Sequence, residues 1–204
     1  MNRARIALVD DGMVFRHGLA SALRGSPTVK IVGEASDGSE ALELFRRTTV
    51  DAAVIELILP SVSGLSLAAE LHHDRPACRV LALSTIDEPG IIADVLRAGA
   101  CGYALKHQPV VEVVEALEAV LAGARYLPPS IPTARIEAEL AGPESALTRR
   151  ERDVFELLIR GHSICAIANL LAISLRTAET HRQRILNKLS HRAIPLFQLF
   201  SRRR

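Results

Sequence analysis

A chain of 204 residues, 49% of them hydrophobic, can bury the cores of one medium-sized domain and one small domain. Tryptophan is absent and aromatic residues make up only 3% of the chain, so Leu, Ile, Val and Ala must fill these cores. The sequence has no apolar run approaching the roughly 20 residues of a membrane helix, no signal-peptide pattern and no paired cysteines. We therefore expect a cytoplasmic protein without membrane spans or disulfides.

The net charge of +2 conceals an uneven distribution along the chain. Residues 1–123 carry 11 basic and 16 acidic side chains, a net charge of −5, whereas residues 147–204 carry 12 basic and 4 acidic side chains, a net charge of +8. A strongly basic segment favours contact with nucleic acid. Only the C-terminal part is therefore expected to meet it.

The first 123 residues alternate between apolar strand-like runs and amphipathic helical stretches. The strand-like runs occupy 6–10, 29–35, 51–57, 78–84 and 101–106. The helical stretches occupy about 14–24, 38–48, 65–74, 88–98 and 109–123. Such alternation is typical of a parallel sheet with helices on both faces. The sequence predicts an α/β domain with a doubly wound five-stranded parallel sheet.

Polar side chains stand at the carboxyl ends of four of these strands, where ligands of such sheets bind. Asp10 and Asp11 follow the first strand, Glu56 lies in the third, Ser84 ends the fourth and Lys106 follows the fifth. At the end of its strand, Glu56 is expected to meet solvent. We expect three acids, a hydroxyl and an amine at one edge of the sheet.

Residues 124–146 contain four of the ten prolines and show little periodicity. This composition predicts a linker, with a short helix at about Ala134 to Leu140.

The residues 147–204 that follow form a small all-α domain in our interpretation. Thr148 and Glu151 have the spacing of a capping box, Gly161 is a stop signal, and Ser163 and Ser174 precede two further helical stretches. Two short helices joined by a tight turn, the second of them basic, are typical of a helix-turn-helix.

Several motifs resemble one known family in their order along the chain. LVDDGMVFRHGL, LALST and GACGYALK resemble the motifs of a flavodoxin-like receiver domain, and ALTRRERDVFELLIRGHSICAIANLLAISLRTAETHRQRILNKL resembles a LuxR-type helix-turn-helix. The chain is thus similar to two-component response regulators of the NarL/FixJ class. The resemblance implies a DNA-binding transcriptional regulator that is not an enzyme.

One position departs from the family. Four residues before the proline of the third-strand loop, the family has an aspartate that accepts a phosphoryl group from a histidine kinase, but here Glu56 precedes Pro60. One added methylene displaces the carboxylate by about 1.5 Å, and a misplacement of about 1 Å can cost on the order of 100-fold in rate. We therefore predict poor or absent phosphorylation.

Two interpretations of Glu56 stay open from the sequence. Its carboxylate could pair with Lys106 or accept a hydrogen bond from Ser84 and so mimic the phosphorylated state. It could also be inert, and then it would only stay solvated or form a salt bridge with Lys106. Tyr103 matches an aromatic residue that turns inward on activation in the family, and ordinary packing explains it equally well. Mg²⁺ binding is open too: Asp10, Asp11 and Glu56 attract the cation, with Asp11 as its candidate ligand, while the longer side chain spoils the geometry.

The family pattern also implies how DNA would be contacted. Ala178, Glu179 and Arg182 should face base edges in the major groove. Other side chains of this helix should contact phosphates or support the core: Arg176, Thr177, His181, Arg184 and Lys188. Glu179 could read a cytosine amino group or simply weaken non-specific binding. Such domains bind double-stranded DNA as homodimers, and the expected dimer surface is formed by Leu196, Phe197, Leu199 and Phe200.

Two functions from different classes follow. The leading hypothesis is a transcriptional regulator with an atypical receiver that acts without ordinary phosphorylation. The alternative is a protein-interaction module that docks or titrates a histidine kinase or another regulator and binds DNA weakly. A flavodoxin-like enzyme is disfavoured, because the sequence shows neither a glycine-rich phosphate loop nor a cofactor motif.

Overall fold

The computed structural model describes residues 3–141 and 147–189 of the chain. By their internal contacts the residues fall into two compact units, with the boundary between residues 140 and 141. None of the helices in the described ranges is long and apolar enough to span a membrane.

The first unit is built on a parallel five-stranded sheet with the order β2-β1-β3-β4-β5. Its strands are β1 (Ala4–Val9), β2 (Val29–Ala35), β3 (Ala52–Glu56), β4 (Arg79–Ser84) and β5 (Gly102–Leu105). The helices between and after them are α1 (Met13–Leu23), α2 (Gly38–Arg47), α3 (Gly64–Asp74), α4 (Pro89–Arg97) and α5 (Val110–Leu121). The predicted fold class is confirmed, with element ends that differ from the expected ones by one or two residues.

Helices cover both faces of this sheet, which explains why the strands have continuous apolar sequences. Every residue of β3 is buried. Ala53 and Ile55 belong to a core that includes Phe45 of α2, whereas Val54 belongs to a second core that includes Leu117 of α5. Successive residues of β3 therefore contribute to opposite faces of the sheet.

One glycine fixes the loop after β3. A Cβ atom on Gly64, the first residue of α3, would lie 2.0 Å from the carbonyl oxygen of Glu56. The Gly64 amide also donates a hydrogen bond of 3.0 Å to the carbonyl of Leu57. The start of α3 thus packs directly against the backbone that carries Glu56.

Residues 124–140, which the sequence predicts as linker, pack against the first unit. Tyr126 forms a parallel bridge with Gly102, and its carbonyl accepts a hydrogen bond of 2.9 Å from the amide of Tyr103. Helix α6 (Thr133–Leu140) packs on α4 and buries Ile136 completely. The expected short helix is present, but apolar side chains tie the segment to the sheet edge.

The second unit contains three helices in its described residues, α7 (Arg149–Ile159), α8 (Ile164–Leu170) and α9 (Leu175–Leu189). They enclose a small core formed by Leu147, Val154, Phe155, Ile167 and Ile185. The capping box at Thr148 and Glu151 is present, and Gly161, with φ +85°, follows the end of α7. Ser163 caps α8 and Ser174 accepts a hydrogen bond from the amide of Thr177. These signals are local, and all of them were predicted.

Candidate functional site

Three charged side chains meet at the carboxyl-end edge of the sheet. Asp10 follows β1, Glu56 ends β3 and Lys106 follows β5. The Lys106 Nζ lies 2.7 Å from Asp10 Oδ2 and 2.5 Å from Glu56 Oε2. We call Asp10, Glu56 and Lys106 the ionic cluster.

The remaining carboxylate oxygens of the ionic cluster accept hydrogen bonds from the backbone. The Gly12 amide donates to Asp10 Oδ1 over 2.8 Å, and the Ile58 amide donates to Glu56 Oε1 over 3.0 Å. The ring of Phe15 lies 5.0 Å from the Lys106 Nζ, within the range of a cation–π contact. Each carboxylate of the cluster therefore has one ammonium contact and one amide partner. Asp10 Oδ2 meets the ammonium as an ion pair only and accepts no hydrogen bond among the described residues.

The cluster is largely removed from water. The side chains of Asp10 and Glu56 are 5% and 6% exposed and that of Lys106 is 16% exposed. Burial acts to lower the pKa of Lys106, but the contacts with Asp10 and Glu56 outweigh it and hold this pKa above its ordinary value. The expectation that Glu56 meets solvent is wrong. Its side chain is buried and contacts Lys106, whose positive charge compensates the charge of the carboxylate.

Ser84 and Tyr103 lie near this edge but outside the ionic cluster. Both are fully buried. The Ser84 hydroxyl accepts a hydrogen bond of 3.3 Å from the Ile86 amide, and the Tyr103 hydroxyl donates one of 2.8 Å to the Ile86 carbonyl. Burial raises the pKa of Tyr103 to about 12. Within residues 3–141, no hydrogen bond joins Ser84 to Glu56, so the ion pair with Lys106 is the realised one of the two expected contacts.

Helix α9 of the second unit has a buried face and an exposed face. Ala178 and Ile185, seven residues apart, are buried against the core. Arg176, Glu179, Arg182 and Arg184 are exposed, and none of them forms an ion pair within the part of the chain that the structure describes. Within the second unit, the exposed face of α9 therefore carries three arginines and one glutamate without intramolecular ion pairs.

The positions of two side chains of α9, Ala178 and Lys188, argue against direct contacts with DNA. The expectation that Ala178 faces base edges is wrong, because Ala178 has no exposed surface. Lys188 supports the core instead of being free for phosphate: its Nζ lies 2.6 Å from Glu151 Oε2, and Glu151 is the buried acid of the capping box. Leu196, Phe197, Leu199 and Phe200, the expected dimer surface, lie outside the described residues.

Thr177 and His181 are the remaining predicted contacts of α9, and they differ in exposure. The Thr177 hydroxyl lies 2.7 Å from that of Ser174 at the start of the helix. His181 is partly buried, and its Nδ1 has no hydrogen-bond partner among the described residues. Thr177 thus lies on the exposed face, whereas His181 lies at the border of the buried face.

The sequence matches two family models. The response regulator receiver domain covers residues 6–118, and the family of bacterial regulatory proteins called the luxR family covers residues 145–194. The first match alone spans more than half of the chain. This chain is a response regulator of the NarL/FixJ class.

Full-length relatives and solved structures agree with this assignment. The response regulator is 35% identical over 190 residues to the probable transcriptional regulatory protein NarL of Mycobacterium tuberculosis, covering 92% of this chain and 88% of that protein. It is 33% identical over 184 residues to the transcriptional regulatory protein UhpA of Salmonella typhimurium, covering 90% of each. A crystal structure of a LuxR-family response regulator from Aurantimonas sp. SI85-9A1 matches 71% of this chain and 99% of that chain with a TM-score of 0.61 and 33% identity. The relatives are transcriptional regulators, and so is this response regulator.

The arrangement of the ionic cluster does not fit Mg²⁺. The cation demands near-octahedral coordination by oxygen at about 2.0–2.1 Å. In this response regulator, both oxygens of Asp10 and both of Glu56 already contact Lys106 or a backbone amide. Asp11 is exposed and has no hydrogen bond or ion pair among residues 3–141 and 147–189. In these ranges, no group of three or more His, Cys, Asp or Glu side chains is arranged to hold a metal ion. We derive no step through a metal ion.

Sequence reasoning missed several partners of the site. The amides of Gly12 and Ile58 carry no signal in a sequence, since every non-proline residue has one. Phe15, however, lies within the motif LVDDGMVFRHGL, and its place in the first turn of α1 could have identified it. Arg16 donates a hydrogen bond to the Asp10 carbonyl and pairs with Glu34 at 3.3 Å, which ties α1 to β2.

Proposed function

We propose that this protein is a DNA-binding transcriptional regulator whose receiver acts without ordinary phosphorylation and which binds double-stranded DNA as a homodimer. The observation that carries the proposal is the 2.5 Å contact between Lys106 Nζ and Glu56 Oε2. By the resemblance to the family, Lys106 would grip a phosphoryl oxygen after activation. Here the carboxylate of Glu56 already supplies an anion to it.

The same contact argues against phosphoryl transfer to Glu56. A carboxylate held by an ammonium and a backbone amide is not free to attack in line, and its charge is partly neutralised. Its 6% exposure also restricts the approach of a phosphodonor. We therefore expect neither a histidine kinase nor a small phosphodonor to modify Glu56 efficiently.

The position of Tyr103 supports mimicry of the activated state over inertness. This aromatic residue turns inward on activation in the family, and here it is completely buried with its hydroxyl on the Ile86 carbonyl. Glu56 supplies one negative charge, whereas a phosphoryl group carries about −1.5 to −2. The mimicry is therefore partial, and the protein is expected to be active at a level below that of a fully switched regulator.

The exposed face of α9 supports DNA binding by the second unit. Arg176, Arg182 and Arg184 present guanidinium groups that fit phosphates and guanine edges. A single short helix buries too little surface for tight binding, so two copies on a paired site are expected. The net charge of +8 over residues 147–204 predicts a strong dependence on salt.

Selection of binding sites from a random DNA pool tests this function directly. The selected site is then titrated at fixed salt with unmodified full-length protein and with the fragment 147–204. The proposal expects a paired site and full-length binding at least as tight as that of the fragment. If only the fragment binds, the receiver still inhibits: activity of the unmodified protein through mimicry is refuted, and a partner or ligand must release the receiver.

A second function, the docking of a histidine kinase or another regulator, is favoured by one observation. Within the described part of the first unit, every exposed large apolar side chain lies in a loop or first helical turn that follows a strand, which is the carboxyl-end side of the sheet. We call this set the apolar collar: Met13, Val14, Ile58, Leu65, Ile91, Val110 and Val111. If neither the full-length protein nor the fragment selects a DNA site, docking through the collar becomes the leading function.

A further inference from the structure

We propose that the ammonium of Lys106 takes the place of a divalent cation in this receiver, so that the pocket does not bind Mg²⁺ while Glu56 is present. The inference concerns the site on which the proposed function rests and names how that site is closed. It is carried by the contacts of the ionic cluster, by the residue at position 12 and by the position of Asp11.

Every carboxylate oxygen of Asp10 and Glu56 already contacts either the Lys106 ammonium or a backbone amide. Asp10 Oδ2 and Glu56 Oε2 share the Lys106 Nζ at 2.7 and 2.5 Å, and the other two oxygens accept amide hydrogens. A cation would have to displace the ammonium or break an amide hydrogen bond in a largely buried site. Both changes leave a desolvated group without a partner, which is unfavourable.

The surroundings of the Lys106 ammonium also fit it closely. A Cβ atom on Gly12 would lie 4.0 Å from Lys106 Nζ and only 3.0 Å from Asp10 Oδ1. The absence of a side chain at Gly12 therefore leaves the Asp10 carboxylate undisturbed in its contact with Lys106. The Phe15 ring faces the ammonium at 5.0 Å and adds no oxygen ligand. The cluster is thus built for an ammonium ion, with few places for the water ligands that Mg²⁺ retains.

Of the three acids at this edge, only Asp11 is left as a ligand for a metal ion. Asp11 is the acid next to the cluster that is exposed and makes no hydrogen bond or ion pair in the described ranges. One exposed carboxylate does not assemble a magnesium site, since such sites combine one or two carboxylates with further oxygen ligands. The length of Glu56 is therefore decisive, because it brings the second carboxylate onto Lys106.

Calorimetric titration of full-length protein with MgCl₂, paired with thermal melting at the same Mg²⁺ concentrations, tests the inference. Four proteins are compared: wild type, Glu56→Asp, Lys106→Met and the control Glu70→Asp. The control makes the same change at an exposed position of α3. Shortening the side chain by about 1.5 Å should separate it from Lys106, whereas removing the ammonium should leave the carboxylates uncompensated.

We expect no saturable heat and no rise in melting temperature for wild type and Glu70→Asp at millimolar Mg²⁺. Glu56→Asp should show both effects. The melting temperature of Lys106→Met, which is expected to lie below that of the wild type, should rise as Mg²⁺ is added. Wild type that binds Mg²⁺ as tightly as Glu56→Asp would overturn the inference. So would the absence of Mg²⁺ binding in both site variants, because the ammonium would then not be what occupies the cation's place.

These outcomes separate the inference from the proposed function. Magnesium binding by wild type, together with tight DNA binding by the unmodified full-length protein, refutes the closed cluster and leaves the regulator intact. Failure of DNA binding with an absent magnesium response refutes the proposed function and leaves the closed cluster intact.

Discussion

At the residue scale, Lys106 joins two acids from different strands, and its loss should be costly. The change Lys106→Met would leave Asp10 and Glu56 buried without their counter-ion, which predicts a loss of about 3 kcal/mol in the free energy of unfolding. Urea unfolding of the full-length protein measures it. Lys30→Met, at an exposed position of β2, is the control and should change stability by less than about 0.5 kcal/mol. Equal stability of the two variants would contradict a stabilising role for the cluster.

Glu179 allows a sharp choice between two roles. If this exposed acid reads a cytosine amino group, Glu179→Gln should relax the preference at one base position by about 1–3 kcal/mol. If it only weakens non-specific binding, affinity should rise for every sequence and the salt dependence should steepen. We expect the first result. Competition titrations with single-base variants of the selected site decide it, with Glu156→Gln, an exposed acid of α7, as the charge-matched control.

At the element scale, the turn between α8 and α9 contains a residue in an unfavourable conformation. Ala172 has φ +51°, in the left-handed region that costs a non-glycine residue roughly 1–2 kcal/mol. Ala172→Gly should therefore stabilise the second unit by about 0.5–1 kcal/mol after the greater chain entropy of glycine is subtracted. Thermal unfolding measures the gain. Ala166→Gly, inside α8, should have the opposite sign, and a loss in both variants would argue against the strain.

The capping box of α7 predicts a pH dependence for the second unit. Burial acts to raise the pKa of Glu151, but Lys188 and the Thr148 amide outweigh it and lower this pKa to about 2, from an ordinary value of 4.5. Because the folded state holds the charged form more tightly, its contribution is present above pH 4.5 and is lost as the pH falls toward 2. Glu151→Gln should cost about 2 kcal/mol at neutral pH.

Unfolding of the wild type and Glu151→Gln between pH 7 and pH 3 checks this expectation, as the stability difference should shrink on acidification. Glu156→Gln on the same helix is the control, since Glu156 is half exposed. A difference between wild type and Glu151→Gln that does not vary with pH would show that the carboxylate charge is not responsible.

At the scale of the whole molecule, residues 124–140 belong physically to the receiver. Ile131 and Ile136 are buried in the core that also contains Tyr103. A fragment that ends at residue 140 should therefore be more stable than one that ends at residue 123 by about 3 kcal/mol, the gain from burying two isoleucines. Denaturant unfolding of both fragments measures the difference. Ile136→Ala in the full-length chain should also lower the stability of the first unit. Equal stability of the two fragments would mean that residues 124–140 do not stabilise the receiver.

The sequence predicts the fold well and the site only in part, because its signals act between residues close in sequence whereas the site depends on contacts between distant ones. Strand alternation, caps and glycine stops act over a few residues, so all five strands and the three helices of the second unit were expected. Tyr126 was missed because its partner Gly102 is distant and nearby prolines favour a linker. Ala178 was misassigned, although its spacing of seven from Ile185 marks a buried helix face. Whether the Glu56 carboxylate contacts Lys106 or Ser84 depends on the rotamer of its side chain, which no sequence pattern specifies.

Under the proposed function, the ion pair between Glu56 and Lys106 would fix the state of the regulator in its amino-acid sequence. The activity of a receiver that is switched by modification depends on the modifying enzyme. The activity of a fixed receiver depends only on the concentration of the regulator. At low concentration, a dimer that binds DNA increases with the square of the protomer concentration, so a twofold change in synthesis or degradation would change operator occupancy about fourfold. Reporter expression measured against a graded cellular level of the protein should follow this steep curve, and a linear response would argue against it.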